Sequence, residues 1–237
     1  MTSDRELSKD AREFLFSLGA SEVGFADLSS VKDGPCEEFD GGISIIAALN
    51  PHVVRDVATA PSLRYCEEYQ RINYLLNEIG SETVKFLNSR GFRACTIPST
   101  SRNYLPGKFL VAPFSHKKAA TIAGLGWIGK NDLLITREYG SAVRLNTVFT
   151  AAPLETGDPV QDSSCGNCSK CIEACPAGAL KGVNWNTEIG REEIMNIRDC
   201  HSKTMEFASL LEIDPLLCGT CISVCPWTRK YIDNSGK

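Results

Sequence analysis

The chain has 237 residues, 43% of them hydrophobic and 23% charged, with a formal net charge of −4. That length suits one large domain or a domain with a smaller appendage, and the mild acidity counts against a general nucleic-acid binder, which carries a basic excess. The opening Met1-Thr2-Ser3-Asp4-Arg5-Glu6 lacks the charged-then-apolar pattern of an export signal, and no apolar run reaches membrane-spanning length, so a soluble, cytoplasmic protein without a membrane partner is expected.

Ser3 and Glu6 form a capping box ahead of Leu7, Ala11, Phe14, Leu15 and Leu18, whose spacing predicts a helix stopped by Gly19. Residues 22–26 read as a short strand. The apolar run over 43–49 ends at Asn50-Pro51 and predicts a buried central strand. A long helix is expected from about Arg64, with Tyr65, Tyr69, Ile72, Leu76, Ile79, Phe86 and Leu87 on one face and Gly91 as its end signal. Residues 92–97 read as the next strand, 115–123 as a helix, and 133–136 with 143–150 as a hairpin around Tyr139-Gly140. This order predicts an α/β or α+β domain over 1–154. The polar stretch 155–164 marks the boundary to a small second domain over 155–237, held together by metal ligands rather than by a hydrophobic core.

Eight of the eleven cysteines fall in that second part. Cys165, Cys168, Cys171 and Cys175, followed by Pro176, spell C-x2-C-x2-C-x3-C-P, the bacterial ferredoxin run in which three thiolates hold one [4Fe–4S] cluster and the fourth reaches the other. Cys218, Cys221, Cys225 and Pro226 repeat the motif without its first cysteine, whose place is taken by Pro215. Cys200 restores the count to eight, which is two clusters of four ligands. Cluster 1 is then expected on Cys165, Cys168, Cys171 and the remote Cys225. Cluster 2 is expected on Cys218, Cys221, the remote Cys175 and Cys200. A zinc site closes on four ligands in paired C-x2-C units, and disulfides need an oxidising compartment, so both fit this run poorly. Cys36, Cys66 and Cys95 are scattered and read as inert buried thiols.

Gly124-Leu125-Gly126-Trp127-Ile128-Gly129 matches the dinucleotide fingerprint G-x-G-x-x-G, but a helix precedes it and a strand follows, the reverse of the required order. The alternative is that these glycines let the backbone pass close to something large and flat. Trp127 and Trp227 read as core residues. Of the three histidines, His52 reads as solvated and His201 as a hydrogen-bonding neighbour of Cys200. His116 opens a helix beside Lys117 and Lys118, as a solvated end or an anion-facing edge.

Together, the segment from Ala123 to Asn131, the first cysteine run, Arg198-Asp199-Cys200 and Cys221-x3-Cys225-Pro226-Trp227 make the chain similar to the epoxyqueuosine reductase family, the tRNA-modifying relatives of reductive dehalogenases. The resemblance runs from near the N-terminus to Trp227. It implies a cobalamin-binding α/β domain followed by a ferredoxin-like domain with two [4Fe–4S] clusters, with the same ligand partition as above. It also implies that Gly124, Gly126, Trp127, Ile128, Gly129, Lys130 and Asn131 help to wall a corrin pocket.

Two departures stand out. The family places a catalytic aspartate three residues before a proline, and counting back from Gly124 that proline is Pro113 and the acid position is Leu110, which cannot donate a proton. His116 is then the first candidate for proton delivery and Tyr104 the second. The tRNA-modifying members also continue into a helical-repeat domain, whereas this sequence ends at Lys237, so a short, divergent member with a substrate other than tRNA is expected. The expected function is an iron–sulfur reductase relaying single electrons from a low-potential donor, such as a ferredoxin or flavodoxin, to a corrinoid that is either cofactor or substrate. Two alternatives stand beside it: an electron-transfer protein that reduces a partner enzyme without a corrinoid, and a true tRNA epoxyqueuosine reductase using another acid.

Overall fold

A computed structural model describes residues 4–31, 38–100 and 104–236. Ser3 of the expected capping box and Cys36 lie outside these residues. In chain order the elements are α1 (Asp4–Ser17), β1 (Glu22–Asp27), β2 (Gly41–Ala48), α2 (Pro51–Arg55), α3 (Leu63–Ser89), β3 (Ala94–Ile97), α4 (His116–Ile122), β4 (Trp127–Ile128), β5 (Leu134–Ile135) and β6 (Val143–Thr150). Among the described residues five helices follow: α5 (Lys170–Ala174), α6 (Arg191–Ile194), α7 (Ile197–Leu211), α8 (Thr220–Ser223) and α9 (Pro226–Asn234). The chain divides into two compact units, each assembled from three stretches. The first comprises Met1–Ala47, Ile72–Leu125 and Arg144–Val160, and the second Ala48–Arg71, Gly126–Val143 and Gln161–Lys237.

The first unit is built on a four-stranded sheet in the order β1-β2-β6-β3. Strands β1 and β2 run antiparallel with Glu22 opposite Ile46, and β3 and β6 run antiparallel with Ala94 opposite Thr150. The run over 43–49 is interior as expected: Ile43, Ile45 and Ile46 are fully buried. Helix α1 buries Leu7, Ala11 and Leu15, one face at a spacing of four. Gly24 lets α4 settle on β1, since a Cβ there would stand 2.9 Å from Ala123 and Leu125 side-chain atoms. Ala26, Leu28, Phe39, Phe114, Ala119 and Phe149 form the core between them, with the Phe114 and Phe149 rings edge to face at 4.7 Å. Each large apolar side chain so buried contributes about 1.5–3 kcal/mol.

The hairpin expected around Tyr139-Gly140 is not formed. Residues of β5 pair instead with β4, Trp127 opposite Ile135, while β6 joins β3 in the four-stranded sheet. Only a single bridge, Thr136 to Gly140, remains at the expected turn. Strand β6 is buried over most of its length, so it takes an interior place that a two-stranded hairpin could not give it. The helix α2 was signalled by Asn50-Pro51 yet read only as a strand end. Asn50 caps it by accepting from the His52 N–H, and Pro51 stands in the first turn. Cys95 is disulfide-bonded rather than an inert thiol. Among the described residues, no helix is long and apolar enough to cross a membrane.

In the second unit, Tyr231 of α9 donates a hydrogen bond to the Leu49 carbonyl at 3.0 Å, and its ring meets Tyr139 edge to face at 5.1 Å. Gly219, at φ +90°, lets the chain turn into α8 against Val57 and Tyr65, where a Cβ would come within 2.8 Å and 3.1 Å.

Candidate metal centre

All eight cysteines of the two motifs lie in the second unit, in helices or in the turns beside them. Cys168 donates its N–H to the Cys165 carbonyl at 3.1 Å in the turn before α5, Cys171 lies in α5 itself, and Cys175 caps its C-terminus. Cys221 sits in α8. Cys225 is the N-cap of α9 with Pro226 at its first position, where the missing N–H costs nothing. Cys200 occupies the first turn of α7, which Asn196 caps by accepting from the Arg198 and Asp199 N–H groups.

These elements sort the thiols into two groups of four. Cys165, Cys168, Cys171 and Cys225 line one cavity of about 100 Å³. Burial, then the neighbouring Cys165, Cys225 and Cys168, push the Cys171 thiol up to about 11. Cys175, Cys200, Cys218 and Cys221 make the second group: burial raises both Cys200 and Cys221, and Cys175 and Cys218 raise each of them further. Cys221 also senses Cys171, so the two groups adjoin where α5 packs on α8. Buried thiols crowded in this way resist ionisation one by one, and a cationic core that accepts several thiolates at once removes the conflict. Among the described residues no three His, Cys, Asp or Glu side chains close on a single point as the ligands of one ion do; the thiols stand around a space. The donor set and the cavity therefore fit two cysteine-ligated clusters.

The remaining wall of the first cavity comes from the apolar side chains of Ile135, Pro226 and Trp227 and from Lys130 and Asn131. Lys130 Nζ donates to the Cys168 carbonyl at 3.2 Å and Asn131 Nδ2 to the Cys221 carbonyl at 3.4 Å. Two residues expected at a corrin pocket are thus committed to the cysteines. The glycines of the turn are likewise accounted for by the chain. A Cβ on Gly126 would stand 2.2 Å from the Ile135 carbonyl oxygen, one on Gly129 would stand 2.4 Å from Ile135 Cδ1, and one on Gly124 (φ +77°) would stand 2.7 Å from the Asp158 carbonyl oxygen. Ile128 pairs with Leu134, and Trp127 is a core residue whose ring meets Trp227 edge to face at 5.1 Å. The close approach that these glycines permit is to the protein's own chain, backbone at Gly124 and Gly126 and side chains at Gly129, so they give no separate sign of a large flat ligand.

His116 lies in the first unit, at the start of α4. Its Nε2 stands 3.1 Å from the Pro98 carbonyl, which can only accept, so Nε2 carries the proton; Nδ1 then accepts from the Thr147 hydroxyl at 2.8 Å. Burial lowers its pKa from 6.5 to about 4, with the Arg144 charge adding to the effect and the Pro98 bond opposing it. At neutral pH His116 is a neutral bridge from β6 to the residue after β3 rather than a proton reservoir. Tyr104 is exposed in the loop before α4. Leu110, at the position where the resemblance places an acid, has φ +53°, a conformation rarely adopted by a leucine. The ion pair from Arg191 Nε to Asp132 Oδ2, at 2.9 Å and felt by Cys200, was not foreseen. Its partners are 59 residues apart, and nothing local links them.

Comparison with known proteins agrees with this geometry. A family model described as a 4Fe-4S double cluster binding domain matches residues 164–228. An epoxyqueuosine reductase of Pseudomonas aeruginosa is 40% identical over 257 residues, covering 96% of this chain and 64% of that protein. The chain spans less than two thirds of the length of each of the first curated relatives it matches. Among solved structures, a selenomethionine-labelled epoxyqueuosine reductase superposes with TM-score 0.66 at 22% identity, over 96% of this chain and 67% of that one. A reductive dehalogenase whose structure bears on B12-dependent dehalogenation superposes with TM-score 0.73 at 16% identity, over 99% and 34%. At these identities the structural likeness is one of fold.

Proposed function

We propose that this chain, which is similar to epoxyqueuosine reductases and matches a 4Fe-4S double cluster binding domain over residues 164–228, is a reductase whose two [4Fe–4S] clusters would pass single electrons to a corrinoid. The observation that carries the relay is the sorting of eight thiols into two adjoining groups of four within one unit. Cys165, Cys168, Cys171 and Cys225 would hold one cluster, and Cys175, Cys200, Cys218 and Cys221 the other. When bound, each cluster takes up and releases one electron at a time. The chain's own residues place the thiols on short helices and the turns beside them, give the first cavity apolar walls in Ile135, Pro226 and Trp227, and set the local charge.

Electron entry has a place in this reading. Lys170, Arg229 and Lys230 line an open groove against Asp233, and Pro226 borders both that groove and the cysteine cavity. An acidic one-electron carrier of the ferredoxin or flavodoxin kind suits such a surface. The corrinoid as acceptor is supported by the shared fold with a B12-dependent dehalogenase. The glycines of the turn do not carry it, and no step is derived through it.

A second reading, tRNA epoxyqueuosine reduction, is favoured by the 40% identity to the Pseudomonas enzyme across nearly the whole chain. Leu110 in place of an acid counts against it. Anaerobically reconstituted protein titrated with cob(II)alamin, followed by electron paramagnetic resonance, tests the first reading: a base-off spectrum upholds it, and an unperturbed spectrum of free cobalamin removes the corrinoid. Incubation of the reduced protein with an epoxyqueuosine-bearing tRNA stem-loop tests the second, and conversion to queuosine would establish it.

A further inference from the structure

Among the described residues Lys130 is the only buried lysine or arginine, 7% exposed. Its ammonium carries three N–H donors, and among the described residues its one acceptor is the carbonyl of Cys168 at 3.2 Å. No carboxylate of the described residues pairs with it, and Asp132, two positions on, is engaged by Arg191 at 2.9 Å. An uncompensated buried cation is costly, so a fold that keeps one must supply its counter-charge by other means. Lys130 lines the cavity of Cys165, Cys168, Cys171 and Cys225, whose ligated thiolates would be negative. The second cysteine group has a different environment: its neighbouring cation, Arg191, is paired with Asp132 at 2.9 Å.

We infer that Lys130 is a fixed cation that makes the two clusters inequivalent, raising the reduction potential of the cluster on Cys165, Cys168, Cys171 and Cys225 above that of the other. The inference rests on the two-cluster reading above. Adding one electron to a cluster adds one negative charge and neither forms nor breaks a bond. A cation held in a water-poor cavity stabilises that added charge more than a neutral ion pair does. An electron supplied by an external one-electron carrier therefore comes to rest on cluster 1, and cluster 2 stands at the higher-energy end of the relay. Lys130 is a positioning residue in this scheme, acting through charge rather than through contact with substrate.

The experiment is a redox titration of the reconstituted full chain under anaerobic conditions, followed by electron paramagnetic resonance. The two signals are assigned with Cys225→Ala and Cys200→Ala, each lacking one cluster. Wild-type protein should reduce cluster 1 first. Lys130→Met should move the cluster 1 midpoint downward by about tenfold or more in electron partition, about 59 mV for a one-electron couple, and leave cluster 2 in place. Lys130→Arg should restore the wild-type order. Reduction of cluster 2 first in the wild type, or equal movement of both midpoints in Lys130→Met, would overturn the inference. Should Lys130→Met fail to assemble cluster 1, assembly in Lys130→Arg upholds the role of charge; if neither variant assembles, the wild-type order decides. Wild-type protein that holds fewer than two clusters would instead refute the reading on which the inference rests.

Discussion

Gly126 passes so close to Ile135 that a Cβ on it would stand 2.2 Å from the Ile135 carbonyl oxygen and 2.9 Å from the carbonyl carbon. Backbone on both sides leaves no flexible side chain to yield. The same hairpin leads into Lys130 and Asn131, which face the cysteines. Gly126→Ala is therefore expected to lower stability by about 1–3 kcal/mol or more through overpacking. It should also speed loss of cluster 1, because the hairpin forms one wall of its cavity. Urea unfolding and the rate of iron release to a chelator measure the two effects. A variant as stable as wild type would mean that β4 and β5 lie farther apart than described.

The grouping of thiols gives a second expectation. Cys200→Ala and Cys225→Ala should each reduce iron and sulfide to about half of the roughly eight atoms of each that two [4Fe–4S] clusters hold. The two variants should lose different signals. Iron and sulfide analysis with spectra of the reduced proteins checks this, and a single shared loss would merge the two groups into one site.

His116 sets a pH dependence. Its folded pKa of about 4 lies below the unfolded 6.5, so the unfolded chain binds more protons between these values. The stability it lends is complete above about pH 6.5 and is lost as pH falls through 4. The loss is on the order of 2 kcal/mol once solvent screening around this half-buried ring is allowed for. His116→Gln should flatten that acid limb, whatever its effect at pH 7. Denaturant midpoints at several pH values across the window would measure it, and an unchanged slope would contradict the burial of the ring.

Tyr231 anchors α9, which begins at a cluster ligand. Its hydroxyl donates to the Leu49 carbonyl, and burial, with smaller contributions from Tyr139 and Glu68, pushes its pKa up to about 12. Tyr231→Phe leaves that carbonyl without this donor and should cost about 1 kcal/mol. Thermal unfolding of the reconstituted protein is the measurement; no change would show that water replaces the hydroxyl.

Much of this protein was legible in its sequence because the signals are local. Metal ligands in a ferredoxin run are spaced by the turns that carry them, so Cys165, Cys168, Cys171 and Cys175 announce their chemistry within eleven residues. The helical period of α1 and α3 and the apolar run of β2 likewise follow from burial of one face or both. The missing first cysteine of the second motif was a matter of counting, which put Cys200 forward as its replacement; in the structure Cys175 and Cys218 are among the groups that raise the Cys200 thiol.

Only the tertiary structure decided what lies against what. The Gly-rich turn announced a close approach but not the object approached, because a missing Cβ records proximity without naming the neighbour; that neighbour is Ile135. The pairing of β6 with β3 in place of a hairpin depended on the competition of whole strands for interior places in a sheet, which turn residues do not encode. The resemblance implied a corrin-pocket place for Lys130 and gave no sign of its neighbours in space. The burial of Lys130 beside Cys168, and the Arg191–Asp132 pair near Cys200, arise from segments far apart in sequence, and electrostatics at a metal centre depends on distance in space.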